Sequence, residues 1–393
     1  MAYIILSLSL LLSYSIFISA NESQNVIVGA EQFSEYLPLI KNKRVGLLVN
    51  QTSQVGHQHL VDSLIEKQIN VSAIFAPEHG FRGKQGAGET ILDGRDIKTG
   101  IDIFSLHGKY KKPQKKQLEQ IDFLIFDIQD VGVRYYTYIS SMHYFMEACA
   151  ENNIPMIVLD RPNPNGHYID GPVLDLNYQS FIGMHPIPVV HGLTVGELAT
   201  MINGEEWLID GKQCDLTVIK VKNYDHNTHY SLSIKPSPNL PNDLSVQLYP
   251  SLGFFEGTSI SVGRGTDWPF QVLGYPDKKM GGFSFRPKQI TGSWKELNYA
   301  ESSLYGERFT VAESGKLSLS YLINWREKFK RHNLTLISRP GFFDKLAGSD
   351  SLRNKIQSGM SAEEIENSWL PELDKYQQIR KKYLLYSDSD LIK

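Results

Sequence analysis

The chain has 393 residues, a formal net charge of −3, 41% hydrophobic and 21% charged residues, a composition ordinary for a globular protein and without a global field toward nucleic acid or an anionic membrane surface. Single cores rarely grow past about 250–300 residues, so the length predicts two domains. The two cysteines, Cys149 and Cys214, exclude a disulfide framework and leave too few soft ligands for a structural zinc site. Each lies in an apolar pattern and reads as a small buried hydrophobe.

Residues 1–20, MAYIILSLSLLLSYSIFISA, contain no charged side chain and end in small residues before the polar stretch at Asn21. They read as an export signal cut near Ala20, with a retained membrane anchor as the rival reading. No other apolar run approaches the length of a membrane span, so the expected location is exported, periplasmic or secreted, with no membrane attachment after cleavage. After a helical stretch ending near Lys41, residues 44–50 (RVGLLVN) form the near-continuous apolar run of a strand covered on both faces.

Helical spacing over 57–67 and a strand at 71–76 establish strand, helix, strand. A short strand at 101–106, a helix at 112–120, a strand at 122–128, a helix at 137–152 and a strand at 155–159 follow. This alternation predicts an α/β protein with a doubly wound, mostly parallel sheet and right-handed crossovers. Beyond it the pattern predicts a helix at 194–203, a strand at 214–221, a proline-rich extended loop at 235–243 and a strand at 257–262. From about Gly274 the composition shifts, with strands at 283–285 and 309–311 and helices at 316–330 and 362–386. A first domain over 21–273 and a smaller α/β domain over 274–393 are expected. The basic run at 109–116 (KYKKPQKK) sits beside a proline and reads as a solvated loop.

Residues 74–89, IFAPEHGFRGKQGAGE, take a strand into Pro77, Glu78 and His79 and then into a loop carrying Gly83, Gly86 and Gly88. Open α/β sheets place their chemistry at such carboxyl ends. Four further strand ends are polar: Asp127, Gln129, Asp130, Arg134 and Tyr135; Asp160, Arg161, Asn163 and Asn165; Ser237 to Asn239; and Glu256 through Arg264. Taken singly, each of these reads as a structural pair at a loop base. As a set on one rim, carboxylates, amides, guanidinium groups and rings suit a polyhydroxylated, partly anionic ligand. No G-x-G-x-x-G follows a strand, and P-loop, H-E-x-x-H and G-x-S-x-G motifs are missing. His79, His107, His185 and His191 are scattered, so neither a cofactor nor a metal is expected.

The segments FAPEHGFRGKQGAGE, LIFDIQDVGVRYYTYISSM, VLDRPNPNG, SPNLPN and FFEGTSISVGRGTDWPF, in this order, with AGSDSLRNKIQSGMSAEEI near the C-terminus, resemble the exo-β-N-acetylmuramidases, long catalogued as a bacterial domain of unknown function. The resemblance spans nearly the whole chain after the signal. It implies a Rossmann-like domain, a smaller C-terminal α/β domain closing a cleft, and a glycoside hydrolase. The implied reaction, without cofactor, releases non-reducing terminal N-acetylmuramic acid from peptidoglycan-derived disaccharides or muropeptides. Glu78 falls on the family's proposed catalytic acid, and Glu89 and Asp127 stand as its possible partners. His79, Arg82, Gln129, Arg134, Tyr135, Asp160, Arg161, Asn163, Asn239, Glu256 and Arg264 fall in matching motifs as substrate contacts. The lactyl carboxylate of muramic acid calls for a fixed cation, for which Arg134, Arg161 and Arg264 are the strand-end choices. A non-catalytic periplasmic sugar-binding protein is the rival reading, and the glycine-rich loop beside Glu78 favours the enzyme. Retention, inversion and participation of the 2-acetamido group stay open.

Overall fold

The computed structural model describes residues 25–78, 80–82, 93–289, 297–312 and 315–388; the expected export signal, His79 and Glu89 lie outside them. The chain enters through α1 (Phe33–Ile40) and β1 (Arg44–Val49), makes a small hairpin of β2 (Gln54–Val55) and β3 (Gln58–His59), and runs through α2 (Leu60–Glu66) into β4 (Asn70–Ala76). It continues through β5 (Gly94–Arg95), β6 (Asp102–Ser105), α3 (Lys115–Leu118), β7 (Phe123–Asp127), α4 (Tyr138–Asn152), β8 (Met156–Leu159), α5 (Val195–Gly204) and β9 (Leu216–Ile219). Seven of these strands form one sheet in the order β5-β6-β4-β1-β7-β8-β9. It is parallel except at its β5 edge.

From β1 the chain winds outward through β4 to β6, then returns to the other side of β1 for β7, β8 and β9. The reversal opens a crevice at the carboxyl ends of β1 and β7, the place where such sheets bind ligands. The strands alternate across the sheet: Leu48, Phe75, Leu124, Phe126, Met156 and Val158 join the core under α4 and α5. Val45, Leu47, Val49, Ile74, Ile125 and Ile157 pack on the opposite face with Tyr36, Leu60 and Leu64. The core under α4 continues without a break into the C-terminal part through Phe254, Phe343 and Trp325.

That part contains α6 (Asp243–Leu252), an antiparallel sheet of β10 (Val272–Tyr275), β11 (Phe283–Phe285) and β12 (Leu304–Arg308), and five helices: α7 (Ser320–Arg331), α8 (Pro340–Ala347), α9 (Ser351–Ser358), α10 (Ala362–Asn367) and α11 (Leu370–Arg380). Three expectations need correction. Residues 257–262 form no strand, because a 3-10 turn at Gly253–Gly257 precedes them and only Ser261 bridges to Gly274. The third small-sheet strand is β12 rather than 309–311. The single helix expected over 362–386 is divided at Ser368 and Trp369; Pro371, in the first turn of α11, suits a fresh helix start. Both cysteines are buried and unbridged.

The parts are pinned together by consecutive residues between β7 and α4. Arg134 is fully buried and donates to the carbonyls of Pro172 (2.6 Å), Ile187 (2.7 Å) and Leu346 (3.0 Å). Leu346 lies at the end of α8, where carbonyls lack helical partners and a cation is favoured. Burial pulls the guanidinium down to about 9. The Tyr135 hydroxyl donates to Pro250 O (2.7 Å) and Tyr249 O (3.1 Å), capping the end of α6. The ring packs so close to Gly253 that a Cβ there would come within 2.5 Å of it. Arg134 and Tyr135, both expected to touch substrate, are therefore held inside the core. Replacing Arg134 with Met takes the donor from the Pro172 and Leu346 carbonyls and leaves Ile187 O with Leu174 N (3.2 Å) alone, and is expected to cost about 2–4 kcal/mol in denaturant unfolding; a change under about 0.5 kcal/mol would contradict this role.

Candidate active site

Glu78 is the second residue beyond β4, at a turn closed by Gly80 N donating to Pro77 O (3.0 Å) with Gly80 at φ 76°. The same run that pins the fold continues into Thr137 and Tyr138, which fix Glu78. Thr137 Oγ1 donates to Glu78 Oε2 (3.2 Å), and the Tyr138 hydroxyl donates to the Glu78 carbonyl (3.3 Å). Thr137 is the N-cap of α4 and makes no side-chain cap bond to its own helix, so its hydroxyl is spent on the glutamate. The Glu78 carboxyl thus faces a helix N-terminus, half-buried at the sheet rim.

Around it stand Asp130, Glu256 and Arg264, named from the sequence, and two residues that the sequence did not single out, Tyr249 and Lys111. Tyr249 packs edge-on against Phe270 (4.8 Å between centroids) and Tyr135 (5.2 Å). Its hydroxyl has no hydrogen-bond partner among the described residues. Burial, with Glu256, Glu78 and Asp130 nearby and Arg264 opposing them, raises its pKa, so it remains a neutral donor. Asp130 Oδ2 accepts from Gly132 N (2.6 Å) and lies 3.6 Å from His191 Nε2, while the buried Oδ1 has no hydrogen-bond partner among the described residues. Arg264 holds Glu256 at 2.7 Å and stands over Phe270 at 5.3 Å. Lys111, from the run read as a solvated loop, is half-buried with its ammonium 4.1 Å over the Phe181 ring. Burial lowers its pKa and the Glu78 carboxylate raises it.

Several expected site residues turn inward instead. Asp127 is fully buried and takes both forks of Arg161, at 2.6 and 2.9 Å, while Arg161 also donates to Gln54 O (3.0 Å). Burial raises the Asp127 carboxyl and Arg161 counters it; a carboxylate so held is not placed to attack a sugar carbon. Asp160 accepts from Tyr386 (2.6 Å), Thr194 (2.7 Å) and Gly196 N (2.8 Å), locking the start of α5. Asn163 bonds Leu193 O (2.9 Å) and Asn165 N (2.8 Å). Gln129 donates to Pro162 O (2.6 Å) and Asp130 O (2.8 Å), yet also lines a polar hollow of about 110 Å³ with Arg161, Thr52 and Tyr230. For Asp160, Arg161, Asn163 and Gln129 the reason is shared: loops at a parallel sheet's rim need internal partners for their buried backbone groups.

Arg82 lies apart from this ring of groups, paired with Asp96 (2.9 Å) and Asp62 (3.5 Å) at a hollow of about 300 Å³ shared with Gln51, His59 and Lys98. Asn239 is buried in the proline-rich loop, which crosses the rim under bonds from Gln51 to Pro236 O (3.1 Å) and from Tyr136 to the same carbonyl (2.7 Å). The signal that could have found Thr137 and Tyr138 is positional, since they open a helix directly behind a strand-end loop. For Tyr249 and Lys111 the sequence carries no such mark. The buried pair yields a test of its own: Arg161→Met is expected to cost about 3–5 kcal/mol, and adding Asp127→Leu to recover part of it. Since an unpaired Asp127 has its folded pKa further above the unfolded value, the Arg161→Met deficit should grow as pH rises from 4 to 7. Additive losses, or a deficit larger at pH 4, would contradict the pairing.

Family models for exo-β-N-acetylmuramidase NamZ match the chain, the N-terminal one over residues 45–244 and the C-terminal one over 247–386. A peptidoglycan β-N-acetylmuramidase NamZ of Bacillus subtilis (strain 168) is 40% identical over 376 residues, covering 90% of this chain and 89% of the relative. Two crystal structures of DUF1343 family proteins from Bacteroides fragilis NCTC 9343 share the fold. One has a TM-score of 0.85 at 45% identity over 93% of this chain and 100% of its own, the other 0.79 at 31% over 92% and 99%. With both halves of the family matched and a relative 40% identical over 90% of the chain, the chain belongs to the exo-β-N-acetylmuramidase NamZ family.

Proposed function

We propose that the protein is an exo-acting glycoside hydrolase that removes non-reducing terminal N-acetylmuramic acid from peptidoglycan fragments, with Glu78 as the acid. The observation that carries the residue assignment is the placement of Glu78, half-buried at the sheet rim and held by Thr137 and Tyr138 at the start of α4. In this reading Glu78 gives its proton to the glycosidic oxygen as the bond to the muramic acid ring breaks, and a water supplies the hydroxyl that forms on the anomeric carbon and the proton that restores the carboxyl. The carboxylate left behind is received by the Thr137 hydroxyl and the positive end of α4. The neutral Tyr249 hydroxyl supplies a donor for the sugar's own polar groups. Glu89 lies outside the described residues, and Asp127 is committed to Arg161.

Replacing Glu78 with Gln preserves the Thr137 contact and removes the proton. Turnover of a chromogenic β-N-acetylmuramide should fall by about 10²–10⁴-fold, with the melting temperature and the affinity for N-acetylmuramic acid unchanged. Near-native turnover by this variant would overturn the assignment.

We further infer export through residues 1–20, whose uncharged apolar run ends in small residues. The mature protein should begin near Asn21 on N-terminal sequencing and lie outside the cytoplasm. A chain that still begins at Met1 in the membrane fraction would favour the anchor.

A further inference from the structure

N-acetylmuramic acid differs from N-acetylglucosamine by a lactyl ether that ends in a carboxylate. A site that prefers the first sugar needs a cation within reach whose charge is not already spent. The cations the sequence proposed fail this condition. Arg134 is used by three carbonyls, Arg161 by Asp127 and Arg264 by Glu256. Arg82 is taken by Asp96, and Lys112 by Glu147 and Glu151.

Lys111 is different. Among the described residues no carboxylate lies within 4.0 Å of its ammonium and none donates or accepts a hydrogen bond with it. Its ammonium rests on the Phe181 ring, which stacks at 14° on Tyr144 of α4. A cation held over a ring face is positioned without being neutralised. Tyr144 follows Thr137, the residue that holds Glu78, by about 10 Å along the helix. One pyranose ring with its lactyl arm, together with the flexible lysine stem, spans that interval. We infer that Lys111 reads the lactyl carboxylate of the substrate and so sets the enzyme's preference for muramic acid over glucosamine residues.

The inference rests on the reading of Glu78 as the acid of an N-acetylmuramidase.

The test compares wild type, Lys111→Met and Lys111→Arg on 4-methylumbelliferyl β-N-acetylmuramide and on the matching β-N-acetylglucosaminide. Lys111→Met should lower kcat/KM on the muramide by about 10- to 100-fold, the size of one lost charge-assisted contact, and lower it far less on the glucosaminide. Lys111→Arg should restore most of the muramide rate. Calorimetric titration of Glu78→Gln with N-acetylmuramic acid, with and without Lys111→Met, should show the same loss in affinity. Unchanged selectivity in Lys111→Met, or an equal loss on both substrates with an unchanged melting temperature, overturns the role of Lys111. A wild type that hydrolyses neither substrate and binds no N-acetylmuramic acid overturns the muramidase reading and this inference together.

Discussion

The structure depends on five consecutive residues, Arg134 to Tyr138, which tie otherwise separate pieces to one point. Arg134 closes the end of α8, Tyr135 caps α6, Tyr136 holds the proline-rich loop, and Thr137 and Tyr138 position Glu78. Each contact uses a group that a helix end or a loop leaves without a partner. The consequence is geometric: the acid at the end of β4 and the C-terminal helices share one rigid reference. A disturbance in that run would reach the site from the fold and the fold from the site.

The rim is rich in charge, and most of that charge is already committed. Asp127 with Arg161, Glu256 with Arg264, and Arg82 with Asp96 form pairs, while Asp160 is surrounded by donors from α5 and Tyr386. Buried pairs of this kind contribute little net stability when formed but are costly to break. They act as fixed geometry rather than as reactive groups. Among the described residues the set left outside such pairs is smaller, namely Glu78, the Tyr249 hydroxyl and the Lys111 ammonium. Fewer uncommitted groups means fewer ways for a sugar to sit.

The sheet was legible because its central strands are unbroken apolar runs. RVGLLV and FLIFD can only be covered on both faces, and the helices between them show the expected spacing. The C-terminal part was harder to read. Helix α6 contains Pro250 and follows a proline-rich loop, and α8 and α9 are only eight residues each, joined by Gly348, Ser349 and Asp350. Tertiary packing around Phe254 and Phe343 decides those elements. At the site, residue type was legible and direction was not. Arg134 and Asp160 have the chemistry of ligand contacts but turn inward, because burial of the neighbouring loops demands their hydrogen bonds. Lys111 carries no mark in the sequence: Lys109, Lys115 and Lys116 of the same run are exposed, and only the fold brings Phe181 beneath Lys111.

The central claim is that the sugar is held between Glu78 and Lys111, at the rim of the parallel sheet. It is tested most directly by a crystal structure of the Glu78→Gln variant with N-acetylmuramic acid bound. The account predicts the anomeric oxygen against residue 78, the Tyr249 hydroxyl on the sugar, and the lactyl carboxylate within ion-pair distance of Lys111. A sugar seated instead in the hollow beside Arg82 and Lys98, with residue 78 untouched, would contradict it.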